Sequence, residues 1–162
     1  IGSSLVGSEM CIRDRLPNLP PRQDLYSSYI NVLRYGNSPG IHVDAPYYVP
    51  ENKTVLVYLN PVWQPDWGGE TIFFDDDLDS KRLVQPRAGR VVMFDGRIPH
   101  TGTTGNIRFL YNRYVLTYKY MQPDIRQKLF TDYEMTNKPP VEDRNIAGFN
   151  PNTVRDLSLI HI

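Results

Sequence analysis

Between residues 26 and 120 the apolar positions alternate with polar ones or bunch into short runs, and they show no sustained helical period. Residues 26–35 (YSSYINVLRY) alternate loosely and are rich in aromatic and β-branched side chains, which predicts a strand. Gly36-Asn37-Ser38-Pro39-Gly40 is a dense turn signal, and residues 40–46 (GIHVDAP) follow it as a short predicted strand. Residues 54–60 (TVLVYLN) form a nearly continuous apolar run of strand length, which predicts a buried strand. A loop over 61–67 carries both tryptophans, and Gly68-Gly69 opens a further strand at 70–74. Asp75, Asp76, Asp77 and Asp79 read as a solvated turn, because they lack the ligand spacing and closing glutamate of a calcium-binding loop. Strands over 82–85 and 90–94 flank a turn at 86–89, and Asp95-Gly96 is a tight-turn dipeptide. A strand then begins at Ile98-Pro99-His100 and breaks at 101–105, and the last strand spans 107–120. Short strands separated by Gly, Pro and Asp turns predict an all-β fold with minor α content, either a barrel or a double-sheet jelly roll. Residues 123–133 read as one helix with proline in its first turn, and 137–156 as a Pro/Asn/Asp-rich tail.

Lys+Arg 18 against Asp+Glu 18 and a hydrophobic fraction of 40% suit a single soluble domain. The zero net charge gives no electrostatic reason to expect nucleic acid or an anionic membrane as partner. No apolar run approaches the roughly 20 residues of a membrane-spanning helix. The ends carry a different signature. Residues 5–15 (LVGSEMCIRDR) resemble a translated transposon adapter, and residues 157–162 (LSLIHI) resemble the reverse complement of the same element. Residues 1–15 and 157–162 are therefore set apart from the domain at 16–121 and the helix and tail at 122–156. Cys11 then leaves the domain, so neither a disulfide nor a thiolate ligand is expected, and His161 leaves with it. The natural chain is expected to be longer at both ends, and the cytoplasm is only the default compartment.

The chemistry concentrates on few residues. In an extended segment His42 and Asp44 project to the same side, about 6–7 Å apart along the backbone. His100 is the only other histidine inside the domain. Two histidines and one carboxylate match the facial triad of non-haem Fe(II) oxygenases. The alternative is that these histidines are ordinary core or surface residues of a metal-free jelly-roll binding module, which predicts no metal stoichiometry. Arg113 stands among Leu110, Tyr111, Tyr114, Val115 and Leu116. A guanidinium there is costly to bury without a partner, and its shape suits a carboxylate clamped by two parallel bonds. Arg108 sits five residues earlier and faces the opposite way in a regular strand.

The order of His42-Val43-Asp44, Tyr58-Leu59-Asn60, Gly68-Gly69-Glu70, Pro99-His100 and Arg113-Tyr114-Val115-Leu116-Thr117 resembles the 2-oxoglutarate and Fe(II)-dependent dioxygenases, in their prolyl-4-hydroxylase-like branch. The resemblance covers about residues 29–120. It implies a double-stranded β-helix with Fe(2+) held by His42, Asp44 and His100, 2-oxoglutarate and O2 as co-substrates, and ascorbate as a further requirement. It implies metal-centred catalysis with no separate protein acid or base, hydroxylation being coupled to decarboxylation of 2-oxoglutarate to succinate and CO2. Asp44 points to a hydroxylase, since relatives that halogenate lack this carboxylate. Arg113 matches the family's co-substrate anchor, Tyr58 and Tyr35 match pocket positions, and Thr117 shares the face of Arg113. Val115 stands where some relatives carry Ser or Thr, and Lys119 reads as too far along the strand to replace Arg113. Trp63 and Trp67 either wall a substrate cleft or cover the end of the core. The implied partner is a peptide or small-molecule substrate, with peptidyl proline leading. Another protein residue, a small metabolite, or a non-catalytic binding role are the alternatives, and the oligomeric state stays open. Relatives buttress the barrel with helices before the first strand. Residues 16–29 are too short and Pro-rich for that, so an exposed apolar flank is expected on the major sheet.

Overall fold

The computed structural model describes residues 18–108 and 111–136. The two ends set apart above and the tail at 137–156 lie outside the described residues. Among the described residues, seven strands form two antiparallel sheets. They are β1 (Leu25–Leu33), β2 (Lys53–Tyr58), β3 (Thr71–Phe74), β4 (Ser80–Val84), β5 (Val91–Asp95), β6 (His100–Gly102) and β7 (Arg113–Tyr120). One sheet has the order β1-β7-β2-β5 and the other β4-β3-β6. His42 pairs with His100 as an isolated antiparallel bridge, adding its segment to the edge of the smaller sheet beside β6. The chain thus passes back and forth between two facing sheets, which is the expected jelly-roll double-stranded β-helix.

Alternation along β7 decides what faces the interior. Val115 packs with Leu56, Tyr58, Val92 and Phe94 of the larger sheet and Phe73 and Val84 of the smaller one, so this cluster is the layer between the sheets. Arg113, Thr117 and Lys119 share the side of Val115. The opposite side of β7 carries Leu116, Tyr118 and Tyr120, which pack with Val55, Val57, Met93 and Leu19 on the outer face. That outer face is buried at its centre and open at the β1 edge, where Ile30, Val32 and Tyr114 are exposed. The predicted apolar flank is therefore confined to one margin.

The predicted helix forms as α1 (Pro123–Thr136), with Pro123 and Asp124 in its first turn, where a missing N–H and a negative charge both suit the helix start. Its Ile125 and Leu129, one turn apart, pack toward Ala45, Val49 and Met121. The helix thereby supports the segment that leaves Asp44.

Two predicted strands are corrected. The segment 40–46 is strand-like only at His42, because the amides of Asp44 and Ala45 both turn to the Gly96 carbonyl instead of a ladder partner. The strand predicted over 107–120 begins only at Arg113. The Asn106 side-chain oxygen accepts the Arg108 backbone amide, and the Asn106 backbone N–H donates to the Trp67 carbonyl, folding the segment into a turn. Ile107 and Tyr111 are 70% and 76% exposed, so their apolar character reflects no core contact.

Candidate metal centre and co-substrate pocket

His42, Asp44 and His100 come together, with one potential ligand atom from each lying within 4.8 Å of the others. The bridge that joins the two histidine backbones explains why: they exchange both main-chain hydrogen bonds, at 3.0 and 2.9 Å, so their side chains stand directly opposite each other. The imidazole centroids are 4.5 Å apart. Each Nδ1 faces the carbonyl two residues upstream, His42 toward Gly40 at 3.0 Å and His100 toward Ile98 at 2.9 Å. A carbonyl only accepts, so Nδ1 carries the proton and each Nε2 presents a lone pair. Those Nε2 atoms lie 3.8 and 3.6 Å from the two oxygens of Asp44. Orientation of ligating histidines by a second hydrogen bond is the usual support of a metal site.

The triad is asymmetric in exposure. His42 is exposed, whereas His100 is buried against the rings of Phe94 and Phe73. Burial holds the His100 pKa below its ordinary value; Asp44 opposes this and His42 reinforces it. For Asp44 burial pushes upward. Electrostatic interaction with His100 and with the charged Lys119, together with hydrogen bonds from Lys119 and Thr54, outweighs that and leaves the carboxyl below its usual range. Thr54 donates to Oδ2 at 2.6 Å and Lys119 approaches Oδ1 at 2.8 Å. Both oxygens of the carboxylate are thus held from the β2 and β7 side, where Thr54 and Lys119 are direct cross-strand partners.

Asp95 and Gly96 set the backbone under the triad. The Asp95 carboxylate accepts the Arg97 amide and grips the Arg97 guanidinium at 2.9 and 2.7 Å, and the Asp95 carbonyl accepts the Ile98 amide. Gly96 then offers its carbonyl to Asp44 and Ala45. A side chain at Gly96 would begin 2.1 Å from Asn52 Oδ1 and 3.3 Å from Asp44 Cβ.

Arg113 is buried on the inner face of β7, with Nε donating to the Gly69 carbonyl at 2.7 Å and Nη2 to Thr71 Oγ1 at 2.8 Å. Tyr58 lies beneath it, its ring centre 5.4 Å from the guanidinium carbon and its hydroxyl 2.7 Å from Thr71 Oγ1. Burial lowers the Arg113 pKa, with the Tyr58 contact acting the other way; burial raises that of Tyr58. A Cβ built on Gly102 would meet Arg113 Nη1 at 3.2 Å. Gly102 lies two residues from His100 on β6, so Arg113 reaches the same face about 6–7 Å along from the triad. That spacing, with glycine keeping the intervening surface low, fits a short dicarboxylate chelated at the metal and clamped at its far end. The donor set fits Fe(II), with two imidazoles and one carboxylate leaving other coordination positions open.

Of the remaining predicted residues, Tyr58 and Thr117 lie on this inner face, Thr117 accepting a hydrogen bond from Asn31. Tyr35 is not brought there: it follows the end of β1 in a turn and is 64% exposed. The Trp63 indole N–H donates to the Gly68 carbonyl and its ring covers Gly69, with Trp67 edge-on at 5.9 Å. Thr54, Thr71, Gly69 and Gly96 were not picked out by sequence as functional, and Lys119 belongs with Asp44. The two-residue alternation carried part of this signal, since Thr54 and Lys119 have the parity of Tyr58 and Arg113.

Residues 30–120 match the family model of the 2OG-Fe(II) oxygenase superfamily. No curated protein sequence matches the chain. Among solved structures, the chain is similar to a prolyl hydroxylase from Trichoplax adhaerens in complex with a hypoxia inducible factor oxygen degradation domain peptide fragment, at 26% identity and TM-score 0.52, covering 78% of this chain and 57% of that one. It also matches a 2OG-Fe(II) oxygenase family oxidoreductase from Burkholderia pseudomallei at 19% identity and TM-score 0.50, over 70% and 57% of the two chains. A Pseudomonas putida prolyl-4-hydroxylase aligns at 22% identity and TM-score 0.49, over 73% and 63%. The chain therefore spans about six-tenths of the length of these structures. With the family model matching more than half of its residues, the chain belongs to the 2OG-Fe(II) oxygenase superfamily.

Proposed function

We propose that this chain is the catalytic core of an Fe(II)- and 2-oxoglutarate-dependent hydroxylase acting on peptidyl proline. The observation that carries the chemistry is the convergence of two Nε2 lone pairs and one carboxylate, next to a buried arginine reaching the same face. His42, Asp44 and His100 would hold Fe(II). With 2-oxoglutarate bound, the metal supplies oxidising power that places one atom of O2 in a C–H bond of the substrate and the other in succinate, with release of CO2. The protein's own residues do the positioning. Arg113 pairs with the distal carboxylate of 2-oxoglutarate by charge-assisted hydrogen bonds. Tyr58 and Thr71 set the plane of its guanidinium, and Thr117 adds a hydroxyl to the pocket between Arg113 and the triad. Val115, Phe73 and Phe94 keep bulk water from the inner side of His100.

Proline as target is supported by similarity to a prolyl hydroxylase in complex with a peptide fragment. Exposed Tyr47 and Tyr48, packed edge to face three and four residues after Asp44, offer rings for a peptide to lie on. The test is 2-oxoglutarate turnover with pools of proline-containing peptides, matched peptides lacking proline, and free amino acids. Turnover stimulated by the proline peptides alone, with a product carrying one added oxygen on proline, is the expected result. Stimulation by peptides lacking proline, or by free amino acids alone, overturns the proline assignment and keeps the hydroxylase.

A further inference from the structure

The Gly68-Gly69 turn is a weak point in the scaffold that holds Arg113. Both residues have positive φ, +71° and +83°, which glycine adopts freely but also leaves freely. Yet the Gly69 carbonyl accepts the Nε proton of Arg113 at 2.7 Å, so the peptide plane of Gly69, together with Thr71 and the Tyr58 ring, fixes the plane of the guanidinium. Something other than the intrinsic preference of two glycines has to hold that plane.

Trp63 does so. Its indole N–H donates to the Gly68 carbonyl at 2.8 Å, across a loop of five residues. Its ring lies so close over Gly69 that a Cβ there would fall 2.4 Å from Cζ2, which rules out any side chain without moving the ring. The Gly68 backbone is tied from a second side by its bridge to Gly105. The Trp63 side chain thus touches both glycines, and Gly69 touches Arg113.

We propose that Trp63 is a positioning residue for co-substrate binding, acting through Gly69 on Arg113 and not as a wall of the substrate cleft. This rests on the reading of Arg113 as the 2-oxoglutarate anchor. A guanidinium has five N–H donors. Nε and one Nη2 hydrogen are committed to Gly69 and Thr71, and that commitment aims the remaining donors toward the face shared with His100. When the Trp63 hydrogen bond is lost, the turn samples other conformations and the guanidinium keeps only its Thr71 and Tyr58 contacts, so its plane is less tightly fixed.

The experiment is anaerobic calorimetric titration of 2-oxoglutarate into the Mn(II)-loaded chain, for wild type, Trp63→Phe, Arg113→Lys and the double variant. Phenylalanine keeps a ring over Gly69 and removes the N–H. Trp63→Phe is expected to weaken 2-oxoglutarate roughly fivefold, the equivalent of one hydrogen bond, while Mn(II) affinity stays at the wild-type value. In the Arg113→Lys background the same change is expected to have no further effect, because the route through Arg113 is already broken. An additive loss in the double variant, a matching loss of Mn(II) affinity, or no loss at all overturns the proposal. Absence of 2-oxoglutarate binding by folded, Mn(II)-loaded wild type overturns the anchor reading itself, and this proposal with it. If Trp63→Phe fails to fold, the wild type decides: by reciprocity of linked equilibria, 2-oxoglutarate should slow hydrogen exchange at the Trp63 indole N–H, and unchanged exchange refutes the coupling.

Discussion

Thr54→Val isolates what holds the carboxylate ligand in place. Valine matches threonine in shape, so the buried site at the start of β2 is refilled without a cavity, and only the hydroxyl is lost. That hydroxyl donates to Asp44 Oδ2 at 2.6 Å, a short bond to a charged acceptor. Hydrogen bonds of this kind contribute about 1.5–3 kcal/mol, and loss of a partner that orients a metal ligand typically lowers metal affinity about 10- to 100-fold. Lys119 remains on Oδ1, so Asp44 keeps its counter-charge and the loss is expected at the lower end of both ranges. Stability is read from urea unfolding of the metal-free chain, where the midpoint should fall with the slope unchanged. Metal affinity is read from Co(II) titration followed by its visible absorption, and it should weaken about tenfold. If Thr54→Val leaves both the urea midpoint and the Co(II) affinity at wild-type values, the carboxylate is not held by Thr54 and the account of Asp44 as a preset ligand fails.

Gly96→Ala should damage the metal site more than Thr54→Val, since its new methyl meets Asn52 Oδ1 and presses on Asp44 Cβ; overpacking of this kind costs about 1–3 kcal/mol, and Co(II) titration against thermal unfolding checks it. Arg113→Gln should raise the KM for 2-oxoglutarate more than tenfold by removing a charge-assisted contact of about 1.5–3 kcal/mol, with Co(II) affinity unchanged; a shift in Co(II) affinity instead would separate Arg113 from the co-substrate. The Asp95 carboxyl is pushed up by burial but held below its usual range by Arg97 and Lys53. Its folded pKa is therefore the lower one, so its contribution to stability is complete above the unfolded value near ~3.9 and fades as pH falls through the folded value. Asp95→Asn should flatten the acid limb of the stability profile between those two values and lower the stability measured at neutral pH; an unchanged acid limb contradicts the assignment.

The parts of this fold that were legible from sequence are those where side-chain pattern and burial agree. The run TVLVYLN became the central strand β2, and the parity of His42 with Asp44 survived even though their segment pairs at only one position. The spacing placed two ligands on one side, but the exchange of main-chain bonds between His42 and His100 that completes the triad is a long-range event with no local signature. Ile107 and Tyr111 misled because apolar residues on a surface turn look the same in sequence as those of a strand, while the determinant was the Asn106 side chain capturing a nearby amide. In the sequence Lys119 shows only its distance along β7 from Arg113. Its long side chain instead reaches the carboxylate of Asp44, a partner that only the folding of residues 40–46 beside β6 brings within range. Trp63 shows the same limit: an aromatic in a loop before two glycines signals close packing, but not what the packing fixes.

The most direct test of the site is an anaerobic Fe(II) titration in the presence of 2-oxoglutarate, followed by the weak visible charge-transfer band of a chelated keto-acid, in the wild type and in His100→Ala. A band that saturates at one Fe(II) per chain in the wild type and is absent in His100→Ala is the predicted result. A folded wild type that gives no band, or a band of equal strength in His100→Ala, would contradict the assignment of His42, Asp44 and His100 as the iron site.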